Sequence, residues 1–404
     1  MPSLLCDEAI TCVLRHGQAL LKFITPNEVG LTGGKQKGYY LPKPFYEAFT
    51  PFPPTKGVNN NHPVEIIWHD GRVTQSTVKW YGTDSRAEYR ITGFNRERHF
   101  PHISPERVGA LLVLVPEHID RFYAFVFESD DEIADLQAGL GIEVHDRCAF
   151  FDSSLPLMQQ ESEDDCLARR FDLFTRTLDN FPPTAAFALE AREALLNCAV
   201  EFANAPSDKR LSALVDAEYR LFRMAERKVC TSIITQMFAT IDDFLAVAQS
   251  ILQRRKSRAG KSLENHVEFL LREAGVPFAT QAKVDGTCPD ILIPGQVEYA
   301  DPAWPLEKLF VLGLKTTCKD RWRQVTREAP RIQQKHLLTL QNGISIPQMK
   351  QMKEASVTLV VPDNLHNTYP PSMQGELLTV EGFIQEIRQR LGGAQSIPAQ
   401  PQLL

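Results

Sequence analysis

Short runs of largely hydrophobic residues, bounded by polar residues, recur along the first part of the chain. The runs VEIIWHD, STVKWYG, EYRITGF, ALLVLVP and FYAFVFES have this pattern, and the region is rich in glycine and proline. Runs of this length with many β-branched and aromatic residues are typical of strands. Residues 1 to about 155 are therefore predicted to form a mostly β domain, a barrel with one or two short helices.

The pattern changes to helical periodicity near residue 185, as in AAFALEAREALLNCAVEFANA and LSALVDAEYRLFRMAERKV. Beyond residue 260, predicted helices and strands alternate. The helix SLENHVEFLLREAG, with Ser262 as its N-cap, is followed by the strands CPDILIPG and KLFVLGLK and then by the helix DRWRQVTREA. Two more strands and a last helix complete a pattern that predicts a mixed α/β sheet.

The length of the chain, 404 residues, indicates two domains, because a single simple core rarely grows that large. The polar and acidic stretch MQQESEDDCLARR is predicted to begin the linker between them. The expected division is a β domain at residues 1–157, a linker at 158–184 and an α/β domain at 185–404.

Charge is distributed unevenly. The formal net charge is −6, yet residues 251–335 contain 15 Lys and Arg against 10 Asp and Glu, a net of +5, which leaves −6 − 5 = −11 for the rest. This asymmetry is compatible with one basic working surface for a polyanion on an acidic body. A solvated surface of mixed charge remains an alternative.

The sequence predicts neither a secreted or membrane-spanning protein nor a zinc protein. The N-terminal stretch lacks a basic leader followed by a long apolar core, and the longest apolar run, VGALLVLVP, is too short to cross a bilayer as a helix. The eight cysteines include no CxxC pair and no Cys/His knuckle, so zinc is not expected. Free thiols in a reducing cytoplasm are the expectation.

The candidate chemistry lies in the predicted α/β domain. Asp290 begins one predicted strand and Lys315 ends the next, so a hairpin would place them side by side. A metal-dependent phosphodiesterase needs carboxylates for Mg²⁺ and a lysine for the attacking water. An aspartate and a lysine on adjacent strands are the signature of the restriction-endonuclease-like fold, in which an acid usually stands two residues before the lysine. Gly313 occupies that position here.

Other carboxylates could replace the missing acid. Glu328 is predicted to reach the metal from the helix that follows Lys315, and Glu264, which shares a helix face with Glu268, could add a third ligand. The predicted catalytic set is Asp290, Lys315, Glu328 and Glu264, with metal ligands Asp290, Glu328 and Glu264. Taken singly, a Pro-Asp step is commonly a loop entering a strand, and a glutamate pair is commonly a solvated face.

Several stretches resemble the EcoRII family of type IIE restriction endonucleases. RRKSRAGKSLENHVEFLLREAG, CPDILIPG, LGLKTTCKDRWRQVTREA and LVVPDNLH resemble its catalytic half, and TGGKQKGYYLP and EYRITGFNR resemble its N-terminal effector domain. The resemblance implies two domains, α/β overall: a B3-like DNA-binding β pseudobarrel and a C-terminal restriction-endonuclease-like α/β domain. It also implies a homodimer that needs Mg²⁺, cleaves both strands at CCWGG (W is A or T) and is stimulated by further copies of the site. A cognate cytosine methyltransferase is the implied functional partner, and a prokaryotic cytoplasm the implied location.

The resemblance also assigns roles to residues that bind the target DNA. Lysine or arginine can donate to guanine and aspartate can accept from cytosine, which suits Lys319, Asp320 and Arg321 as base readers. Lys319 could instead be a second active-site lysine. Trp322 is expected to pack in the core. The expected phosphate contacts are Arg323, Arg327, Arg254, Arg255 and Arg258. Tyr219 could stack on a flipped base, although a core tyrosine is the stronger expectation.

In the N-terminal domain, Arg86, Glu88 and Arg90 share one face of a strand and are expected to read guanine and cytosine of effector DNA. Salt bridging is the alternative. Lys35 and Tyr40 match a second DNA-facing loop. The chain departs from the family pattern at Lys35, where the family has histidine, and at Asp84 and Tyr89, where it has basic residues. A DNA-binding regulator with an inert nuclease fold and a DNA-repair nuclease are the competing functions.

Overall fold

The structure, a computed structural model, describes residues 3–33, 37–83, 87–94, 100–144, 147–154, 165–199 and 201–392. The chain divides into two compact units. The first unit comprises Met1–Gln160, Gln341–Gln351 and Leu365–Gly375. The second unit comprises Glu161–Leu340, Met352–Asn364 and Glu376–Leu404. Within the described residues, no helix is both long enough and apolar enough to span a membrane.

The first unit contains a curled sheet of eight strands and two helices. In chain order these are α1 (Leu4–His16), β1 (Gln18–Phe23), β2 (Tyr39–Leu41), β3 (Asn60–Trp68), β4 (Val73–Tyr81), β5 (Glu88–Thr92), β6 (Leu111–His118), β7 (Arg121–Phe127), α2 (Asp130–Leu140) and β8 (Cys148–Asp152). The strand order is β2-β5-β4-β3-β7-β6-β1-β8, and all neighbours are antiparallel except β3 and β7.

The core of the first unit lies on both faces of its central strands. In β1, Leu20 packs into the cluster enclosed by the curled sheet, whereas Leu21 and Phe23 pack into the cluster that includes Val13 of α1. Burial on both faces explains why β1 and β6 are almost continuously apolar, unlike the alternating β3 and β4.

The second unit combines a helical part with a five-stranded sheet. Its elements are α3 (Asp165–Arg176), α4 (Thr184–Cys198), α5 (Ser207–Ile234), α6 (Ile241–Glu273), β9 (Ala279–Thr280), β10 (Ile291–Ile293), α7 (Gln296–Ala300), β11 (Phe310–Lys315), α8 (Trp322–Val325), β12 (Lys335–Thr339), α9 (Ile346–Glu354, which crosses the boundary between the units), β13 (Val357–Val360) and α10 (Val380–Leu391). The sheet order is β13-β12-β11-β10-β9. Strands β9 to β11 are antiparallel and β11 to β13 are parallel, so the sheet is mixed, as predicted.

The apolar stripe predicted for the helix before β10 packs on this sheet. Leu263, Val267 and Leu270 of α6 lie in one cluster with Leu312 of β11 and Phe383 of α10. The predicted N-cap of this helix was wrong, because α6 begins some twenty residues earlier at a capping box formed by Thr240 and Asp243. Ser262 is an interior, fully buried residue of the helix.

Two further expectations need correction, the length of one helix and the state of two cysteines. The helix predicted from Asp320 is only one turn long, Trp322–Val325, and Glu328 follows it in a turn. Helix α3, which lies within the stretch predicted as a linker, packs against α4 and α5. Cys166 of α3 and Cys198 of α4 form a disulfide bond, because the packed helices bring their Cα atoms to 5.6 Å, so these two thiols are not free.

Candidate active site

Asp290 and Lys315 lie side by side in the second unit. The antiparallel pairing of β10 with β11 sets Ile291 opposite Leu312, which places the residue before β10 beside the end of β11. One carboxylate oxygen of Asp290, Oδ2, accepts hydrogen bonds from the backbone N–H of Leu314 at 2.8 Å and from Nζ of Lys315 at 2.9 Å. Both side chains are only partly covered, 15% and 18% exposed, so this pair remains open to a substrate.

The structure gives a steric reason for the glycine two residues before Lys315. A Cβ atom at Gly313 would lie 2.5 Å from Cγ2 of Val325, a fully buried residue of α8. A β-branched side chain in a packed core cannot move away cheaply. Position 313 therefore has no room for the usual acid while Val325 packs there.

Glu328 supplies a carboxyl group to the same place. Its Oε2 atom is buried and has no hydrogen-bond partner among the described residues. Burial, followed by the negative charge of Asp290, raises the pKa of Glu328 to about 7, against the opposing charges of Lys315 and Lys335. The carboxyl groups of Asp290 and Glu328 thus repel each other in a poorly solvated site.

The pair of carboxylates fits a divalent cation. A hard cation takes oxygen ligands, would relieve the repulsion between the two carboxylates and would give the buried Oε2 of Glu328 a partner. Among the described residues, however, no three His, Cys, Asp or Glu side chains are grouped to hold a metal. Glu264, the third expected ligand, accepts a hydrogen bond from Lys261 at 2.5 Å, and its role as a metal ligand stays a prediction.

The predicted base readers differ in accessibility. Asp320 is exposed and Arg321 is partly exposed, so both can reach a ligand. Lys319 is only 2% exposed and cannot read a base in this conformation. Trp322 is buried, as the core-packing expectation required, and the exposed Arg323 lies over its ring at 4.7 Å.

One of the predicted phosphate contacts is not supported. Arg258 is 1% exposed, and its guanidinium lies between α5 and α6, 3.9 Å from Glu218 and 5.1 Å from the ring centre of Tyr219. A charge enclosed in this way cannot meet a phosphate without opening the helix pair. Tyr219 itself is only partly buried, and its stacking on a flipped base stays a prediction.

The neighbouring arginines are more accessible. Arg254 is partly exposed and lies over the ring of Phe181 at 4.2 Å, and Arg255 donates two hydrogen bonds to Glu226 at 2.8 and 3.0 Å. Their stems are therefore anchored at the side of α6, and their role as phosphate contacts stays a prediction.

Part of the predicted effector surface lies at the β2–β5 edge of the first unit. The exposed Tyr40 of β2 stands opposite Arg90 of β5, which is only 8% exposed. Nε of Arg90 donates to Glu88 of the same strand at 2.9 Å, so the two side chains form a salt bridge within one strand and not across two. Tyr89 points into the core, where its hydroxyl donates to the carbonyl of Phe52 at 2.8 Å. Lys35, Arg86 and Asp84 lie outside the described residues.

Sequence reasoning missed two residues that hold the Glu328 turn. Lys335 donates to backbone carbonyls of this turn, and Thr287 accepts a hydrogen bond from its Ala329 N–H at 3.1 Å. A lysine that opens the short strand KHLLT, whose centre is apolar, is a signal that could have been noticed.

Known structures give weak likenesses. A structure titled "Metal-depleted Ecl18kI in complex with uncleaved, modified DNA" aligns with a TM-score of 0.44 and 20% identity over 55% of this chain and 83% of its own. The "Restriction endonuclease PspGI-substrate DNA complex" aligns with a TM-score of 0.45 and 16% identity over 52% and 93%. The assignment of the chain rests on its sequence relatives.

Sequence comparisons are much stronger. A family model described as "EcoRII C terminal" matches residues 222–384, and one described as "Restriction endonuclease EcoRII, N-terminal" matches residues 16–143. Type II restriction enzyme EcoRII of Escherichia coli is 32% identical over 385 residues, 91% of this chain and 93% of the relative. Type II restriction enzyme SsoII of Shigella sonnei is 29% identical over 150 residues, 34% of this chain and 48% of the relative.

These matches confirm the predicted two-domain α/β class, with a curled sheet in the EcoRII N-terminal domain and a C-terminal restriction-endonuclease-like domain. The Asp290–Lys315 pair and the partly buried Glu328 lie within the C-terminal match. The chain therefore belongs to the EcoRII family and is a type II restriction endonuclease.

Proposed function

We propose that this enzyme cleaves both strands of DNA at a CCWGG-like site in a Mg²⁺-dependent reaction, and that a second DNA copy on the first unit stimulates cleavage. The observation that carries the proposal is the contact between Asp290 and Lys315, with Glu328 close enough for the Asp290 charge to raise its pKa. One competing function is a DNA-binding regulator with an inert nuclease fold. That function does not account for an Asp290–Lys315 pair next to Glu328, a carboxyl group whose pKa is raised.

Asp290 and Glu328 are the residues that would hold Mg²⁺, with Glu264 as a further candidate from α6. When bound, Mg²⁺ would stabilise charge on the scissile phosphate and lower the pKa of an attacking water. Lys315 would orient that water and offer positive charge to the phosphate oxygens. The Leu314 N–H and the Lys315 ammonium hold one oxygen of Asp290 and so fix the direction of its carboxylate.

The direct test is to digest a mixture of DNA molecules with Mg²⁺ and to sequence the ends. The proposal requires double-strand ends with a common CCWGG-like sequence, and no ends when EDTA removes the metal. Ends without a common sequence, concentrated at mismatches or lesions, would favour a repair nuclease instead. A protein that binds such DNA without cutting it would favour a regulator.

Restriction of this kind implies a matching modification. We infer a cognate cytosine methyltransferase as a functional rather than a physical partner, acting with this enzyme in the cytoplasm of a prokaryote. Methylated and unmethylated copies of the same plasmid, included in the digest, test this point.

Arg321 is proposed to read a base, whereas its neighbour Arg323 is proposed to contact phosphate. A bidentate contact of arginine with guanine contributes about 1–3 kcal/mol of discrimination at one base pair, so Arg321→Ala is expected to relax specificity at one position. Arg323→Ala, the matched control on the same turn, should weaken binding to all sequences alike and flatten its salt dependence. Competition binding with single-base variants of the site measures both effects. Equal loss on specific and nonspecific DNA for Arg321→Ala would remove it from the reader set.

The effector role of the first unit is tested with Arg90→Ala. Arg90 pairs with Glu88 beside the exposed Tyr40 at the β2–β5 edge. Its side chain is only 10% exposed in the free protein, so effector DNA would have to draw the Arg–Glu pair outward before its donors and acceptors could meet base edges. The variant is expected to slow cleavage of a multi-site plasmid about tenfold, a free-energy change typical of allosteric coupling, while single-site cleavage stays as slow as in the unmodified enzyme. Arg121→Ala, which removes an exposed arginine of β7, is the control.

Exposed apolar residues on α6 support a homodimer. Over the first turns of this helix, Ile241, Leu245 and Leu252 recur at helical spacing, and all three are exposed. Acidic residues (Asp242, Asp243) mark one end of this stripe and basic residues (Arg254, Arg255, Lys256) the other. If two copies pack their stripes antiparallel about a twofold axis, each acidic end meets a basic end. Two copies would also bring one active site to each DNA strand.

The dimer surface predicts a specific loss of assembly. Leu245→Glu, which places a charge in the middle of the stripe, is expected to halve the molecular mass measured by light scattering during gel filtration. Val297→Glu, which alters a still more exposed apolar residue in α7, should leave the mass unchanged. A dimer that survives Leu245→Glu combined with Ile241→Glu would place the interface elsewhere.

A further inference from the structure

The turn that carries Glu328 is built around a buried lysine. Lys335, the first residue of β12, is almost completely buried. Its Nζ atom donates to the backbone carbonyls of Glu328 at 2.6 Å and Ala329 at 2.9 Å, and also to that of Ile332. An ammonium group has three N–H donors, and here each has a carbonyl acceptor.

The helix after Lys315 is short. It ends at Val325, and the backbone carbonyls of Glu328 and Ala329 beyond it accept hydrogen bonds from the Lys335 ammonium. Ala329 takes a left-handed backbone conformation, with φ of +43°, and its N–H donates to Oγ1 of Thr287. The Glu328 backbone is thus held on both sides of the bend.

The positive charge of Lys335 also affects the ionisation of the Glu328 carboxyl group. Burial lowers the pKa of Lys335, and the Glu328 charge opposes this effect. In return, the Lys335 charge favours the carboxylate form of Glu328. Removing an ammonium from water is unfavourable, and an apolar residue at the first position of β12 would avoid that cost. The buried charge therefore calls for an explanation beyond packing.

We propose that Lys335 is a positioning residue for cleavage: it fixes the 328–332 turn so that the Glu328 carboxyl group faces Asp290 and Lys315, ready to hold the metal. This inference rests on the proposed function, because it gives Lys335 its effect through a metal ligand. Lys335 does not touch the DNA or the reacting atoms in this role.

The affinity for a metal ion distinguishes a positioning role of Lys335 from an effect of its charge alone, because the two predict changes in affinity of opposite direction. Loss of a nearby positive charge would strengthen the binding of a cation. Loss of a group that orients a ligand should weaken it by about 10–100-fold. For Lys335→Gln we therefore expect at least tenfold weaker binding of Mn²⁺. The binding is measured by electron paramagnetic resonance with Mn²⁺ as the only added ligand, at a pH above 8, where Glu328 is ionised. Lys353→Gln, an exposed lysine paired with Glu376, is the control.

Cleavage provides the second readout. A positioning defect should raise the Mg²⁺ concentration for half-maximal single-turnover cleavage about tenfold, with a smaller change in the rate at saturating Mg²⁺. A merely unstable protein would lose active molecules and rate without a change in that concentration. Should Lys335→Gln fail to fold, Thr287→Val loosens the same turn with Lys335 in place, and it is expected to weaken Mn²⁺ binding severalfold.

The results distinguish a failure of the proposed metal site from a failure of the role proposed for Lys335. If Glu328→Gln binds Mn²⁺ as tightly as the unmodified enzyme, the metal site of the proposed function is wrong. If Glu328→Gln weakens Mn²⁺ binding but Lys335→Gln, or Thr287→Val in its place, leaves it unchanged or tighter, only the role of Lys335 is overturned.

Discussion

Asp290→Asn is expected to lower the single-turnover rate of DNA cleavage by roughly a thousandfold or more, because the metal loses a charged ligand. Asparagine keeps an oxygen that can accept from the Leu314 N–H, so the local backbone should be preserved. Specific DNA binding without metal should stay the same or tighten, since a carboxylate that repels phosphate is gone. Lys315→Ala should lose cleavage in the same way.

The comparison needs an aspartate that lies outside the site. Asp301, whose carboxylate accepts from the N–H of Ala303 in a nearby loop, provides it, and Asp301→Asn should cleave normally. Rates and binding constants are measured on the same oligonucleotide duplex. Full cleavage by Asp290→Asn would exclude the proposed site, and loss of both cleavage and binding would point to a folding defect instead.

Glu328→Gln is expected to reduce cleavage by about a hundredfold or more and to raise the Mg²⁺ requirement, because a neutral amide is a weaker metal ligand than a carboxylate. Glu268→Gln, which alters a glutamate paired with Arg272 on α6, is the control. Activity of Glu328→Gln within about twofold of the unmodified enzyme would show that Glu328 is only a structural residue of the turn.

The same substitution should stabilise the metal-free protein in a pH-dependent manner. The pKa of Glu328 is raised from 4.5 to about 7, so the folded state favours the protonated form. Stability from this group is fully present below pH 4.5 and is lost as the pH rises through 7. Glutamine resembles the protonated form, so Glu328→Gln should leave the free energy of unfolding unchanged near pH 4. Near pH 8 it should raise that free energy by about 1–2 kcal/mol, a value discounted for partial solvent exposure.

Chemical denaturation in EDTA at these two pH values measures the difference. A stabilisation of equal size at both values would mean that repacking, rather than ionisation, is responsible. No stabilisation at pH 8 would mean that the carboxylate is not destabilised in the folded protein.

The Asp290–Lys315 pair could be predicted because it depends on short-range rules. Apolar runs of strand length define β10 and β11, and an antiparallel neighbour brings the start of one to the end of the other. The buried stripe of α6 follows from helical spacing in the same way. Both features are set by residues within one element or between adjacent ones.

Other features depend on partners that lie far apart in sequence. The turn that follows α8 is held by Thr287 and Lys335, and nothing in the local sequence of the turn indicates these two partners. Arg258 belongs to a run of basic residues that suggests phosphate binding, but the helix turns this one arginine towards Glu218 of α5. Periodicity gives the face of a helix on which a residue lies, and only the neighbouring element decides whether that face is buried.

The close packing of Val325 on Gly313 limits how an active site of this type can change by mutation. Moving the acid to the position two residues before the lysine requires a new side chain at 313 and a smaller one at 325 at the same time. The substitution at 313 alone meets a steric clash, and the substitution at 325 alone leaves a cavity. The two arrangements of the acid are therefore separated by a path on which each single step is destabilising. A sequence search that demands an acid at position 313 would pass over this chain, although Asp290 and Lys315 lie side by side in it.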